Sequence, residues 1–180
     1  SRGESAIVPV GFYKQVSSIL NAARDKAYTA VNFAMVEAYW EIGKSIVEEQ
    51  GGEERAKYGE TLIEGLSERL IADYGRGFGI ANLRNMRQFF LAFPIRDALR
   101  SELSWTHYRR LMRIPDPEAR IWYMNECADS RWSTRQLERQ INTMFRERLL
   151  ASKDKETVAQ EIQKSTPARR PEDIIRDPYV

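Results

Sequence analysis

The first half of the chain is dominated by apolar residues at helical spacing. From Phe12 to about Gln50 they recur at steps of three and four, which is the pattern of one helix face. Unbroken, this run would form a helix roughly 55–60 Å long. Because that is long for a globular helix, we expect a break, a kink or a partner. Gly43 is a candidate weak point inside the run, and Gly51-Gly52 predicts its end.

A second amphipathic helix is predicted at about 54–73. Its apolar face consists of Leu62, Ile63, Leu66, Leu70 and Ile71. Gly65 lies inside this segment, where glycine costs about 1 kcal/mol relative to alanine. We therefore predict that a neighbouring helix approaches closely there. Three glycines within residues 75–79 predict a turn.

Beyond this turn, four helix starts carry recognisable N-caps. Gly79 and Ser104 each follow an apolar residue, Asp116 precedes Pro117, and Ser133 is followed three residues later by Gln136. These caps predict helices at about 80–92, 105–113, 117–129 and 133–150. One more short helix is expected at 152–164, with a polar, proline-punctuated linker beyond it. The predicted fold is all-α: a long N-terminal helix or helical hairpin followed by a helix-turn-helix-like helical bundle.

Charge divides the chain more sharply than its net value of +2 indicates. Residues 1–75 hold 8 basic and 12 acidic side chains, 76–150 hold 14 and 8, and 151–180 hold 6 of each. All 14 basic residues of the middle segment are arginine. We therefore expect an acidic helical segment at 1–75 that can dimerise, and a basic helix-turn-helix-like region at 76–150 packed with it as one domain. A short helix and linker at 151–180 complete the chain.

Helical phasing places many of these arginines opposite the apolar faces. Guanidinium groups bind phosphate oxygens and guanine edges, and asparagine and glutamine can read adenine. A short helix that follows a turn and opens with small polar residues is the plan of helix-turn-helix proteins. Both 60–92 and 105–150 fit that plan, although the glycine-rich turn of the first is longer than usual. The predicted DNA-contacting residues are Arg84, Asn85, Arg87, Gln88, Arg109, Arg110, Arg113, Arg135 and Arg139.

Within this set, residues 84–88 are candidates for base edges and the others for phosphates. The competing interpretation is a solvated bundle surface, with local pairs such as Arg135 and Glu138 neutralising the charge.

The sequence offers no constellation for catalysis. His107 and Cys127 are single, so neither a histidine–cysteine metal site nor an intramolecular disulfide is expected. The glycines at 75–79 lack the Gly-Lys-Ser/Thr ending of a phosphate loop. We expect no catalytic, metal-binding or cofactor-binding residue, and no enzyme activity of this chain by itself. An apolar content of 42% argues against disorder. Without a membrane-length apolar run or a signal peptide, a cytoplasmic location is expected.

Several strings of the sequence resemble the N-terminal domain of YhcG-type bacterial proteins. They are YWEIGKSIVEEQ (39–50), KYGETLIEGLSERL (57–70), YGRGFGIANLRNMRQFF (74–90), LSWTHYRRLMRIPD (103–116) and RWSTRQLERQINTMFRERL (131–149). PEDIIRDPYV at the end is similar to the join to the next domain of that family. One departure is Gly79, where the family commonly has serine, so the side-chain acceptor of that cap is lost. A weaker likeness links 103–142 to the helical DNA-binding core of ParB-type partition proteins.

The resemblance implies a DNA-binding module that continues, in family members, into a PD-(D/E)xK nuclease domain outside this chain. It also implies genes near mobile elements and defence loci. The expected function is therefore DNA binding that targets or regulates a nuclease domain in cis. The alternative is a structural, oligomerisation or protein-interaction module without nucleic-acid binding, in which the 12–50 run pairs with a second copy.

Overall fold

A computed structural model describes residues 8–51, 56–152 and 155–164, and in these residues the chain is all-α. Eight helices and no strand are found there. Their bounds are α1 Val10–Gln50, α2 Ala56–Tyr74, α3 Ile80–Ala92, α4 Trp105–Leu111, α5 Pro117–Asp129, α6 Thr134–Asn142, α7 Phe145–Ala151 and α8 Lys155–Lys164. No helix in these ranges has the length and apolar character needed to cross a membrane. The linker predicted beyond residue 166 lies outside the described residues.

The long helix α1 is unbroken over its 41 residues, and of the three expected alternatives the structure shows a partner, because α3 packs on α1. It ends as predicted at Gly51, whose φ of 70° is left-handed and whose N–H donates to the carbonyl of Val47. Gly43 has a different role. A Cβ at this position would lie 1.9 Å from the carbonyl oxygen of Met86, so glycine permits α3 to pack directly on α1.

The predicted close approach of a neighbouring helix at Gly65 is wrong. Gly65 is exposed, and a Cβ there would meet nothing within 4 Å. The close approach is found instead at Gly43. The sequence pattern did not separate the two positions because close packing depends on the partner helix, α3, which is distant in sequence.

Aromatic side chains build the core where α1, α3 and α4 meet. The Phe89 ring lies 5.2 Å from Trp105 and 4.9 Å from Tyr108, and the Tyr39 ring lies 5.0 Å from Trp105, measured between ring centroids. Trp40 donates its indole N–H to the carbonyl of Phe93 at 2.7 Å. These tilted and edge-on contacts bury large apolar area with no unpaired indole, and they fix α4 against the C-terminal half of α1.

The predicted capping box at the start of α6 forms, and a second one is present at the start of α4. Ser133 and Gln136 cap α6 reciprocally, and Asp116 accepts hydrogen bonds from two N–H groups at the start of α5. Ser104 caps α4, with His107 as its reciprocal partner. That box was not predicted because the usual pattern has glutamate or glutamine at this position.

The helix predicted at 133–150 is divided in two. Met144 has a left-handed φ of 54°, so α6 ends at Asn142 and α7 begins at Phe145. The turn brings the Phe145 ring to 5.6 Å from Trp132 and 5.8 Å from Trp122. Met144 itself is 57% exposed. Packing of Phe145 thus overrides the local helical pattern.

Candidate nucleic-acid interface

The α3 arginines are engaged by acidic and polar groups of α1 and α2. Arg84 Nη2 donates to Glu60 Oε2 at 2.5 Å. Arg87 Nη2 lies 3.8 Å from the other oxygen of Glu60, and its Nη1 donates to Gln50 Oε1 at 3.4 Å. The hydrogen bond from Arg84, helped by both positive charges, lowers the pKa of Glu60. The basic groups of α3 are therefore partly neutralised within the fold.

The other two α3 candidates, Asn85 and Gln88, differ in exposure. Gln88 is exposed and one turn beyond Arg84, and Asn85 is half-buried. Just after α3, Arg96 donates to Glu37 at 2.6 Å and lies 3.3 Å from Glu41. Hydrogen bonding to Glu37 and its charge raise the pKa of Arg96. In the residues that the structure describes, acids of the first segment thus pair with Arg84, Arg87 and Arg96.

Arginines of α4 lie at the boundary between α4 and α6. Arg110 Nε is 3.4 Å from Glu138 Oε2, and its Nη1 donates to the Thr106 carbonyl at 3.4 Å. The competing interpretation paired Glu138 with Arg135. In the structure Glu138 pairs with Arg110 instead. Arg109 is half-buried, and Arg113 is exposed just after the helix.

The outer face of α6 carries exposed arginines. Arg135 and Arg139 are one turn apart, and Asn142 continues the same row. Within the described ranges, neither Arg135 nor Arg139 forms an ion pair, since the acid beside them is bonded to Arg110. Exposed Arg131, in the turn before α6, was not predicted as a site residue. Its place in the RWST string that opens α6 was the available signal.

A cleft of about 270 Å³ joins the α6 row to α4. Its polar lining includes Arg110, Arg113, Glu138 and Asn142, and its base is formed by Ile141 and Tyr123. The cleft places Arg113 beside the C-terminal end of the α6 row. Five predicted site residues, Arg109, Arg110, Arg113, Arg135 and Arg139, thus belong to one α4–α6 region, whereas the four on α3 lie against α1 and α2.

Buried hydrogen bonds hold α6 relative to α4. The His107 side chain is fully buried, its Nδ1 accepts from the Ser104 N–H at 3.1 Å, and its Nε2 lies 2.8 Å from the Trp132 carbonyl. With Nδ1 accepting, the neutral ring donates its Nε2–H to Trp132. Because Trp132 directly precedes the Ser133 cap, this bond fixes the start of α6. The single histidine therefore has a structural role in the fold.

In the part of the chain that the structure describes, no three His, Cys, Asp or Glu side chains are grouped to hold a metal ion. Cys127 is buried, and its Sγ lies 3.7 Å from the same Trp132 carbonyl. The exposed α6 row consists of the guanidinium groups of Arg135 and Arg139 and the amide of Asn142, and such groups bind anions and hydrogen-bonding edges.

The fold and this surface define a small all-α domain with an exposed arginine row. A family model, the DUF1016 N-terminal domain, matches residues 15–148. The chain belongs to this family. It is 37% identical over 195 aligned positions to the Escherichia coli (strain K12) protein named "Putative nuclease YhcG", with 90% of the chain and 52% of that protein covered. The chain thus spans about half the length of the curated relative it matches. No solved structure matches it.

Proposed function

We propose that this chain is a DNA-binding module that targets or regulates a nuclease domain carried on the same polypeptide. The observation that carries the proposal is the exposed row of Arg135 and Arg139 on α6, without an acidic partner in the described residues. Unpaired guanidinium groups gain most from phosphate contact because no internal ion pair has to be broken. The family relationship to a protein named as a nuclease supports DNA as the ligand.

In this proposal α5, the turn at 130–133 and α6 act as a helix-turn-helix unit. The turn has the length typical of such units, and α6 opens with Thr134, Arg135 and Gln136. The α6 row would enter the major groove, with Arg131 and Arg113 contacting phosphates at either end. Arg109 and Arg110 would support the phosphate contacts. Residues 84–88 of α3 would make secondary contacts because Glu60 competes for Arg84 and Arg87.

The test compares two double variants that remove equal charge. Arg135→Gln with Arg139→Gln is expected to lower duplex affinity about 100-fold at low salt, since each lost contact costs about 1–3 kcal/mol. The matched control, Arg84→Gln with Arg87→Gln, is expected to lower it about 3-fold. Fluorescence anisotropy with labelled duplexes of varied sequence measures both. Binding of the wild-type chain should fall steeply with salt.

Three outcomes would contradict the proposal. They are no complex on any duplex at low salt, equal losses for the two double variants, and an affinity independent of salt. A chain that dimerises yet binds no duplex would favour the alternative, an oligomerisation module, for which the exposed apolar half of α1 is the relevant observation.

The remaining parts of the proposal concern the nuclease domain in cis and the place where the module acts. A nuclease domain in cis would follow the described helices, and the module would deliver it to DNA in the cytoplasm, at mobile elements or defence loci. A version of the relative truncated to the homologous region tests the first part. It should keep duplex binding and lose cleavage, whereas cleavage retained by the truncated protein would place activity in this domain.

A further inference from the structure

The N-terminal half of α1 projects from the core with its apolar side chains exposed. From Val10 to Val31 every residue except Ser17 and Thr29 is exposed, and the first buried residue of the helix is Asn32. The exposed large apolar side chains in this half are Val10, Phe12, Tyr13, Val16, Ile19, Leu20, Tyr28 and Val31. Helices in water owe most of their stability to packing of such a face, and aromatic and β-branched residues lower the intrinsic helix propensity. This half therefore needs a partner surface.

The spacing of the face is that of a helix pair. Tyr13, Val16, Leu20, Ala23, Ala27 and Ala30 follow one another at steps of three and four, which is the a/d pattern of a coiled coil, and all are exposed. The side chains are large in the first half of this row and small in the second. Two copies of this row fit together when they run antiparallel, because the large side chains of one copy then face the alanines of the other.

We propose that residues 10–31 of α1 pair with the same segment of a second copy, antiparallel and centred between Asn21 and Ala22. In this register Tyr13 faces Ala30, Val16 faces Ala27 and Leu20 faces Ala23 of the second copy. The symmetry repeats each contact, as a two-fold interface requires. The two folded bodies lie at opposite ends of the pair, so they do not compete for space.

Flanking side chains favour this register over its neighbours. These side chains lie beside the row, at the e and g positions of the heptad, where e meets e and g meets g across an antiparallel pair. Val10 then lies across from Val31, Ser17 from Arg24 and Ile19 from Lys26 of the second copy. No like charges therefore lie directly across. A shift by one half-heptad, centred near Asp25, would place Arg24 against Arg24 and Lys26 against Lys26. A parallel pair would instead stack the alanines on one another and leave their half of the interface poorly packed.

The size of the face is sufficient for a stable dimer. Without Tyr28, seven of the exposed large apolar side chains remain, and each contributes on the order of 100 Å² of accessible surface. Two copies would then bury about 1,400 Å², which lies within the roughly 1,200–2,000 Å² of specific interfaces. Residues 10–31 carry three basic side chains, Lys14, Arg24 and Lys26, and one acid, Asp25, and all four lie outside the apolar row. The expected dissociation constant is in the micromolar range or below.

Mass in solution is the first test. At about 50 µM, well above a micromolar Kd, sedimentation equilibrium should give twice the 20.9 kDa of one chain. Leu20→Glu should give the single-chain mass. The matched control is Tyr28→Glu, which places the same charge on the same helix outside the row and should leave the dimer intact. Far-UV circular dichroism and the thermal transition show that the folded body is retained in both variants.

Cysteine cross-linking tests the direction and register. Val16→Cys and Ala27→Cys are made separately and mixed under oxidising conditions, with the wild-type chain as control because Cys127 is buried. A disulfide should form in the mixture and not in either variant alone, because like positions lie about 16 Å apart in this register, beyond the ~7 Å Cα limit of a disulfide. A monomeric wild-type chain, a dimeric Leu20→Glu variant, or self-cross-linking of Val16→Cys overturns the proposal.

Discussion

Helices α3 and α6 carry similar arginine pairs in different surroundings. Arg84 and Arg87 on α3 lie against α2 and the end of α1, and both are held by Glu60. Arg135 and Arg139 on α6 lie beside α4, whose Arg110 already occupies the neighbouring Glu138. Helical spacing is nearly the same in the two cases. The difference shows that the charges on the packing partner, and not the spacing, decide which of these arginines form ion pairs within the fold.

The largest effect is expected from changing the packing of α3. Gly43→Ala places a methyl group 1.9 Å from the Met86 carbonyl oxygen, so α3 must move away from α1. We expect the free energy of unfolding to fall by about 3 kcal/mol, at the upper end of overpacking effects, as measured by urea denaturation. Gly65→Ala is the control and should be neutral or stabilising by about 1 kcal/mol. Similar losses at both positions would show that α3 does not pack closely on Gly43.

The corresponding change for α6 is His107→Ala in α4, because the His107 ring holds the start of α6. It removes the reciprocal cap of α4 and leaves the Trp132 carbonyl with only the weak S–H donor of Cys127. We expect a loss of about 2–3 kcal/mol in the free energy of unfolding and, at a temperature where the variant is folded, weaker duplex binding because the start of α6 is no longer fixed. Thr106→Ala, the half-buried neighbour, should change both quantities little. Full duplex affinity in folded His107→Ala would separate this hydrogen bond from the binding surface.

A smaller effect is expected when the α3 arginines are released. Glu60→Gln removes the acid that holds Arg84 and Arg87. Duplex affinity should rise about 3-fold and the salt dependence should become steeper, since more guanidinium groups can displace counterions. The matched control is Glu64→Gln, an exposed position on the same helix that changes the net charge equally. An equal rise in both variants would mean that only net charge matters.

The smallest effect concerns acid stability. Because Arg84 lowers the pKa of Glu60 in the folded chain, this carboxylate stabilises the fold above the unfolded pKa of about 4.5 and loses that contribution as the pH falls. The wild-type chain should therefore lose slightly more stability than Glu60→Gln between about pH 5 and pH 3. Thermal melts across this range measure the difference. Parallel curves for the two proteins would show that the Arg84–Glu60 pair contributes nothing to folding.

Local signals in the sequence predicted most helix starts. Asp116-Pro117 and Ser133 with Gln136 cap helices as expected, because a cap needs only residues within one turn. The Ser104 cap of α4 was also correct. The left-handed turn at Met144 was missed because Phe145 packs on Trp122 and Trp132, which are separate in sequence. The predicted close approach at Gly65 failed for the same reason.

The candidate site was predictable only at the level of residue type. Phasing correctly placed Arg135 and Arg139 on an exposed face of α6. It could not show that Glu60, 24 residues before Arg84, holds that arginine. Long-range ion pairs follow from tertiary packing, so charge counts along the chain predict a basic region without showing which of its members are unpaired. DNA binding at either group stays a prediction.

The continuity of α1 has a consequence for how the chain tolerates changes in length. One helix carries both the buried residues after Asn32 and the exposed face before it, so their rotational phases are coupled. Inserting a single residue between Val31 and Val36 would rotate the exposed face by about 100° relative to the core, whereas seven residues would nearly restore its direction. Surface loops accept insertions of any length, but this part of α1 can change only in whole turns without redirecting the face that it presents.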